Sequence, residues 1–237
     1  MVGFIAAMYG DVPSGLGVVM FTNSTQGLGG LASFVLETLV AAREGRPLPE
    51  LPADPEIDLA AYVGTFRAGD EIVRAEVEAD QLILTWDGER LPLEPQGVPL
   101  ELDWFLSTVP GYDRFAFQFQ RGEDGSVTGL AHGSHWFPAE GHTGPVTFDT
   151  PAGWAAYPGH YRSHNPWNPG FRVVLRQGKL WLVNTWGEDH LIPDGDGFVI
   201  DSEPEGPERF LFDTVVDGQA WRVGSPGGEM YYRFFTE

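Results

Sequence analysis

The 237 residues carry 34 acidic and 14 basic side chains, a formal charge of −20, and contain six histidines and no cysteine. So acidic a surface repels phosphate backbones and anionic bilayers, which argues against nucleic acid and membranes as partners. The lack of cysteine excludes thiolate catalysis, disulfides and zinc sites built on sulfur. A hydrophobic content of 42% argues against disorder, and 31 glycines with 19 prolines punctuate short segments, the habit of antiparallel β structure.

In chain order, residues 2–8 and 16–21 are apolar runs around the turn-rich GDVPSG at 10–15, which predicts two neighbouring, largely buried strands. Tyr9, Gly10 and Asp11 cut the first run short and no positive charge precedes it, so these residues make neither a signal peptide nor a spanning helix, and localisation stays open. A helix follows. Ser24 and Thr25 offer N-caps, Leu28, Leu31, Val35 and Leu39 recur at helical spacing with Ala32 and Leu36 beside them, and Gly45 and Pro47 end it. Pro47, Pro49, Pro52 and Pro55 then favour an extended linker over residues 47–56. Two strands and one helix cannot enclose a core, so residues 1–46 are expected to be part of a domain whose other strands lie elsewhere.

Beyond the linker the chain repeats. LAAYVGTFRA at 59–68 and WAAYPGHYRS at 154–163 align without a gap. Each is followed by an alternating segment (ADQLILTW at 79–86, QGKLWLVN at 177–184), then Leu91-Pro92 or Ile192-Pro193. Next comes an aromatic strand (115–120, 209–214) and a turn at Asp124-Gly125 or Asp217-Gly218. Two homologous β units are expected, 57–150 and 151–237. Closure of about eight strands into a small barrel removes the exposed edges that such strands otherwise leave. The fold class is therefore mainly β, two tandem small antiparallel barrels preceded by a partial α/β segment of two strands and one helix. The eight tryptophans suit such barrels either as core and plugs or as an aromatic ligand surface.

Several short patterns mimic sites. His132, His135 and His142 have loose metal-ligand spacing, but only Glu140 stands near them and no helix aligns them, so they are read as solvent-facing loop histidines. DGDGFVID at 194–201 has Val199 where a calcium loop needs glycine and is read as a turn. GLGG at 27–30 lacks a dinucleotide fingerprint and is read as a helix start. No metal and no cofactor is expected.

The segment GFIAAMYGDVPSGLGVVMFTN with its following helix resembles the last two strands and C-terminal helix of the serine β-lactamase-like hydrolases, through Gly3-Phe4, Pro13, Gly17 and Thr22-Asn23. That group holds class C β-lactamases, esterases, penicillin-binding proteins and D-aminopeptidases. The tandem Tyr-x-Gly-x-aromatic units resemble the lipocalin-like barrels appended to many of them. The resemblance implies a catalytic Ser-x-x-Lys, a Tyr-x-Asn or Ser-x-Asn element and a His-x-Gly or Lys-Thr-Gly strand. None is in place. Lys179 is the sole lysine, with Arg176 three residues before it, and no tyrosine begins a Tyr-x-Asn. GHTG at 141–144 and SHN at 163–165 match in letters but fall within the repeat units. No catalytic residue is therefore assigned.

The reading is a non-catalytic C-terminal region whose barrels modulate substrate access or assembly in a larger hydrolase. Its partner is the missing catalytic domain, or a second copy through residues 1–45. Alternatives are a free-standing lipocalin-like binder of a small molecule and an interaction module that pairs with a separate catalytic chain. In D-aminopeptidase-type relatives one barrel sends a loop towards the active site; here SHNPWNPG at 163–170, after the first strand of the second unit, has two prolines and a glycine to fix its shape and the polar and aromatic mixture of a recognition loop. His164, Asn165, Trp167 and Asn168 are its candidate substrate contacts.

Overall fold

A computed structural model of the chain describes residues 5–23, 28–50, 57–96, 103–166, 170–184, 187–202, 205 and 209–235. Two compact units are present, one formed by Met1–Asp54 with His164–Pro169, the other by Pro55–Ser163 with Gly170–Glu237.

In the first unit, β1 (Ile5–Asp11) and β2 (Leu16–Thr22) form an antiparallel hairpin and α1 (Gly29–Glu44) packs on it. Asp11 makes the turn: its carboxylate accepts from the Ser14 amide at 2.8 Å, and Gly15 takes φ 68°, where a Cβ is penalised. The Arg43 guanidinium donates to the Ser14 carbonyl, tying the last turn of α1 to the hairpin. Gly45 closes α1 in the left-handed conformation (φ 67°), as its place after the apolar stripe predicts.

Three expectations fail here. The N-cap is Leu28, with no side-chain hydrogen bond, and Ser24 and Thr25 lie outside the described residues. The strands are not largely buried: among their described residues Val18 alone is, because α1 is the one described element that packs on the hairpin and it covers one face. The helix stripe is shifted as well. Ala32 and Ala41 are buried and Val35 and Leu36 half-buried, whereas Leu31 and Leu39 are 49% and 43% exposed, since small residues let α1 sit close to the strands.

In the second unit each repeat is an eight-stranded antiparallel meander. The first runs through β3 (Gly64–Ala68), β4 (Glu71–Glu78), β5 (Gln81–Trp86), β6 (Glu89–Pro95), β7 (Trp104–Leu106), β8 (Phe117–Arg121), β9 (Val127–His132) and β10 (His135–Pro138), in that spatial order. A bridge between Phe66 and Ala139, and the Glu140 amide donating to the Thr65 carbonyl at 2.8 Å, bring its two ends together. The second comprises β11 (Gly159–Arg162), β12 (Gly170–Arg176), β13 (Lys179–Asn184), β14 (Gly187–Asp194), β15 (Gly197–Ile200), β16 (Leu211–Val216), β17 (Gln219–Gly224) and β18 (Met230–Phe234). Here β11 pairs with β18, and β15 meets β16 through reciprocal hydrogen bonds between Phe198 and Phe210 at 2.8 and 3.0 Å. Both sheets are thus near-closed barrels.

The repeated Ala-Ala-Tyr forms a short 3-10 helix in each copy, Leu59–Tyr62 and Trp154–Ala156. In the first, the Asp58 carboxylate accepts from the Ala60 amide and Tyr62 is buried against Phe105 and Phe119 at ring distances of 4.9 and 5.0 Å. The Tyr62 hydroxyl donates to Asp103 at 2.6 Å, and Arg121 holds the same carboxylate with two further bonds of 2.8 and 2.9 Å. Burial alone would raise the Asp103 carboxyl, but Arg121 and Tyr62 hold it below the usual carboxylate range. In the second copy Tyr157 stacks on Phe212 at 4.6 Å, and Arg233 reaches the Ala156 carbonyl and the Tyr161 hydroxyl. The aromatic residues of the repeat therefore act as barrel plugs.

Candidate functional site

Alternation along the strands fills both barrels. Leu82, Leu84 and Trp86 of β5 face Leu91 and Leu93 of β6 in one core; Val173, Leu180, Leu182 and Leu191 occupy the corresponding levels of the other. With Phe66, Phe105, Phe117, Phe119 and Phe137 added, the first interior is a packed core.

Open space lies instead at one mouth of the first barrel, a cleft of about 560 Å³ lined by the carboxylates of Asp70, Glu71 and Asp87, the rings of Trp86 and Tyr112, and His135. The hairpin turns β3–β4 and β5–β6 supply the acids, and Trp86 makes edge contacts with Tyr112 and His135 at 5.3 and 5.4 Å. Burial first, then Asp87 and Glu89, push the Tyr112 phenol up. This lining holds no serine, threonine or lysine. Among the described residues its acidic and histidine side chains do not come together as a metal-binding group, and the lining offers no serine or threonine nucleophile for acyl transfer.

Behind the cleft lies His132, and it corrects the sequence reading. It ends β9, is 5% exposed, stacks on Phe117 at 4.1 Å and meets Trp86 edge-on at 5.5 Å. Burial pushes it down to about 4, opposed by a hydrogen bond with the Ala116 backbone and helped by His135 and Arg176. Its alternation with the core residue Leu130 was the signal that it points inward. His135 is exposed at the start of β10, and His142 lies beyond the strand, with its ring 5.4 Å from Trp136.

The two barrels meet over the outer face of β12. Arg176, 2% exposed, pairs with Glu188 of β14 at 2.5 Å, donates to the Gly133 carbonyl of the first barrel at 2.9 Å and lies 4.8 Å from the Trp181 ring. Gln177 bonds Gln120 at 3.0 Å, and Gln120 accepts from the Trp136 indole at 2.8 Å. Gly178, at φ 69°, lies against the Asp149 carbonyl so closely that a Cβ would come within 2.5 Å of it. Buried ionic partners on strands separated by a third carry no local sequence signature, and sequence reasoning missed this pair.

Of the predicted loop, His164 is exposed and Asn165 half-buried, while Trp167 and Asn168 lie outside the described residues. DGDGFVID is the β14–β15 hairpin, with Gly195 at φ 60°, and Gly29 and Gly30 of GLGG open α1. SHN begins the loop after β11, and GHTG follows β10 in a turn rather than forming a strand.

No family model matches the chain, and no curated protein does. Among solved structures, a crystal structure of SurE with D-Leu is similar at 24% identity and a TM-score of 0.29, over 53% of this chain and 30% of that one. The chain thus spans less than a third of the length of that protein.

Proposed function

We propose that this chain is the non-catalytic C-terminal region of a serine β-lactamase-like hydrolase, its barrels shaping substrate access or assembly of the complete enzyme. The observation that carries this reading is the bare face of the hairpin. Ala6 stands opposite Phe21, and Met8 opposite Val19, on the side away from α1. Met8, Val19 and Phe21 are 80%, 55% and 78% exposed. A sheet apolar on both faces belongs between two layers, and a two-stranded sheet with an open edge belongs beside further strands. A central sheet covered by helices on both sides meets each need. The filled barrels weigh against the alternative of a lipocalin-like container, so the barrels act through their surfaces and loops. His164–Pro169 supports a role in the enzyme, because this segment leaves the second barrel and is part of the same compact unit as Met1–Asp54.

The coding sequence upstream of Met1 tests the proposal. It should encode a His-x-Gly or Lys-Thr-Gly strand within a few residues and a Ser-x-x-Lys further upstream. The chain alone should take no covalent label from a fluorophosphonate or a penicillin and should self-associate through residues 1–45. A stop codon just before Met1, together with a monomeric product by light scattering, overturns the reading.

A further inference from the structure

The geometry points to an oxyanion-binding site at the junction of the two barrels, in which His160, Arg162, Arg172 and Arg114 take the carboxylate or phosphate of a small molecule. Strand register places the first three together. His160 on β11 stands directly opposite Arg172 on β12, and Arg162 follows two residues along β11 on the same face. Tyr161, Phe171 and Val173 between them point into the core, so this face is the outer one. The first barrel brings the fourth group: the Arg172 guanidinium lies 5.8 Å from the Phe115 ring, and Arg114 precedes it.

Charge makes the cluster unusual. In a protein of net charge −20, Arg114, Arg162 and Arg172 have no carboxylate within ion-pair distance among the described residues; Arg43, Arg67, Arg74 and Arg233 lack one too, but Arg172, Arg162 and Arg114 all act on His160 together. The next outward arginine along the same row, Arg222, is already neutralised by Asp213 at 2.7 Å. Three guanidiniums gathered without a counter-ion repel one another, and an anion with two or more oxygens relieves that repulsion while accepting from their planar forks.

Aromatic rings steady the forks. Phe234, opposite His160 on β18, lies 4.9 Å from the Arg162 guanidinium, as Phe115 does at longer range for Arg172. Gly170, opposite Arg162, has no room for a side chain: a Cβ would lie 2.5 Å from the Tyr161 carbonyl and 3.2 Å from Cγ of Arg162. His160 is half-buried, and burial, then Arg172, Arg162 and Arg114, push it down to about 4. At neutral pH it is therefore an uncharged ring with one N–H to donate. Among the described residues, the charged groups that shift it are these three arginines. Nothing in this assignment depends on the hydrolase reading.

The test follows the six histidine ring signals of the intact chain by NMR, with His160 assigned by its loss in His160→Asn. Sodium phosphate, sodium acetate and sodium chloride are compared at matched ionic strength, the first two separating phosphate from carboxylate preference. Phosphate or acetate should raise the His160 pKa from about 4 towards 6.5, with saturation, and chloride should not. Arg162→Gln and Arg172→Gln should each weaken the anion at least about tenfold, while Arg90→Gln, whose partner is Glu78, leaves it unchanged. Arg162 is exposed, so its variant stays informative if Arg172→Gln fails to fold. Equal response to all three salts, or an undiminished response in Arg162→Gln, overturns the site.

Discussion

Replacing His132 by phenylalanine should flatten the acid side of the stability profile. His132 is 5% exposed and its Nδ1 has no hydrogen-bond partner, so the native state holds it neutral while the unfolded chain protonates it normally. The folded pKa is lowered, hence the unfolded chain binds more protons between the two values and stability falls as pH drops through that window. A fall from 6.5 to about 4 corresponds to about 3 kcal/mol, lost progressively between those pH values and constant below. Urea unfolding read by tryptophan fluorescence, at steps from about pH 7.5 to 4, gives the profile of each protein. The wild type should lose up to about 3 kcal/mol more than His132→Phe across this range. His160 and His190, also lowered by burial, are common to both proteins and cancel in the difference. Parallel profiles would refute the reasoning, since they require a ring that protonates in place at no cost.

Arg176→Ala should destabilise the paired barrels by about 3–5 kcal/mol by stranding Glu188, whereas Arg176→Met with Glu188→Leu should recover most of that loss in the same urea assay. Asp103→Asn removes the charge that Arg121 and Tyr62 share and should cost about 1–3 kcal/mol at pH 7. Because the folded Asp103 pKa is depressed, this cost should shrink as pH falls below the ordinary carboxylate value of 3.8, and a pH-independent difference would contradict it. Limited proteolysis should cut between Arg46 and Glu56 and leave a resistant fragment carrying both barrels; early cleavage inside 57–150 would show the units to be divided differently.

The repeat was legible because its signals are local: the Ala-Ala-Tyr segment, alternating strands and two Asp-Gly turns recur in step, although the 3-10 helix that the first of these forms was not read. Strand count followed from the need to close the edges. The hairpin and the stop at Gly45 were legible for the same reason. What escaped depends on cover. The exposure of Leu31, Leu39, Met8 and Phe21 is decided by which layers surround them, and apolar letters read alike whether or not a neighbour exists. His132 was misjudged because it was weighed with His135 and His142 as a failed metal set, although its spacing from Leu130 follows the strand period. The cluster of His160, Arg162 and Arg172 was unread because a cross-strand pair is invisible until the register is known.

The two rings are not joined at the same place. In the first, the break in the strand ladder lies between the opening and closing strands, bridged by the contact of residues 65–66 with 139–140. In the second, the opening and closing strands are paired over three positions, and the break falls midway along the chain at Phe198 and Phe210. Duplicated halves of one design have therefore diverged in how they breathe. Amide exchange in the first copy should begin where the chain enters and leaves it, and in the second it should begin at an interior gate while the ends stay sealed.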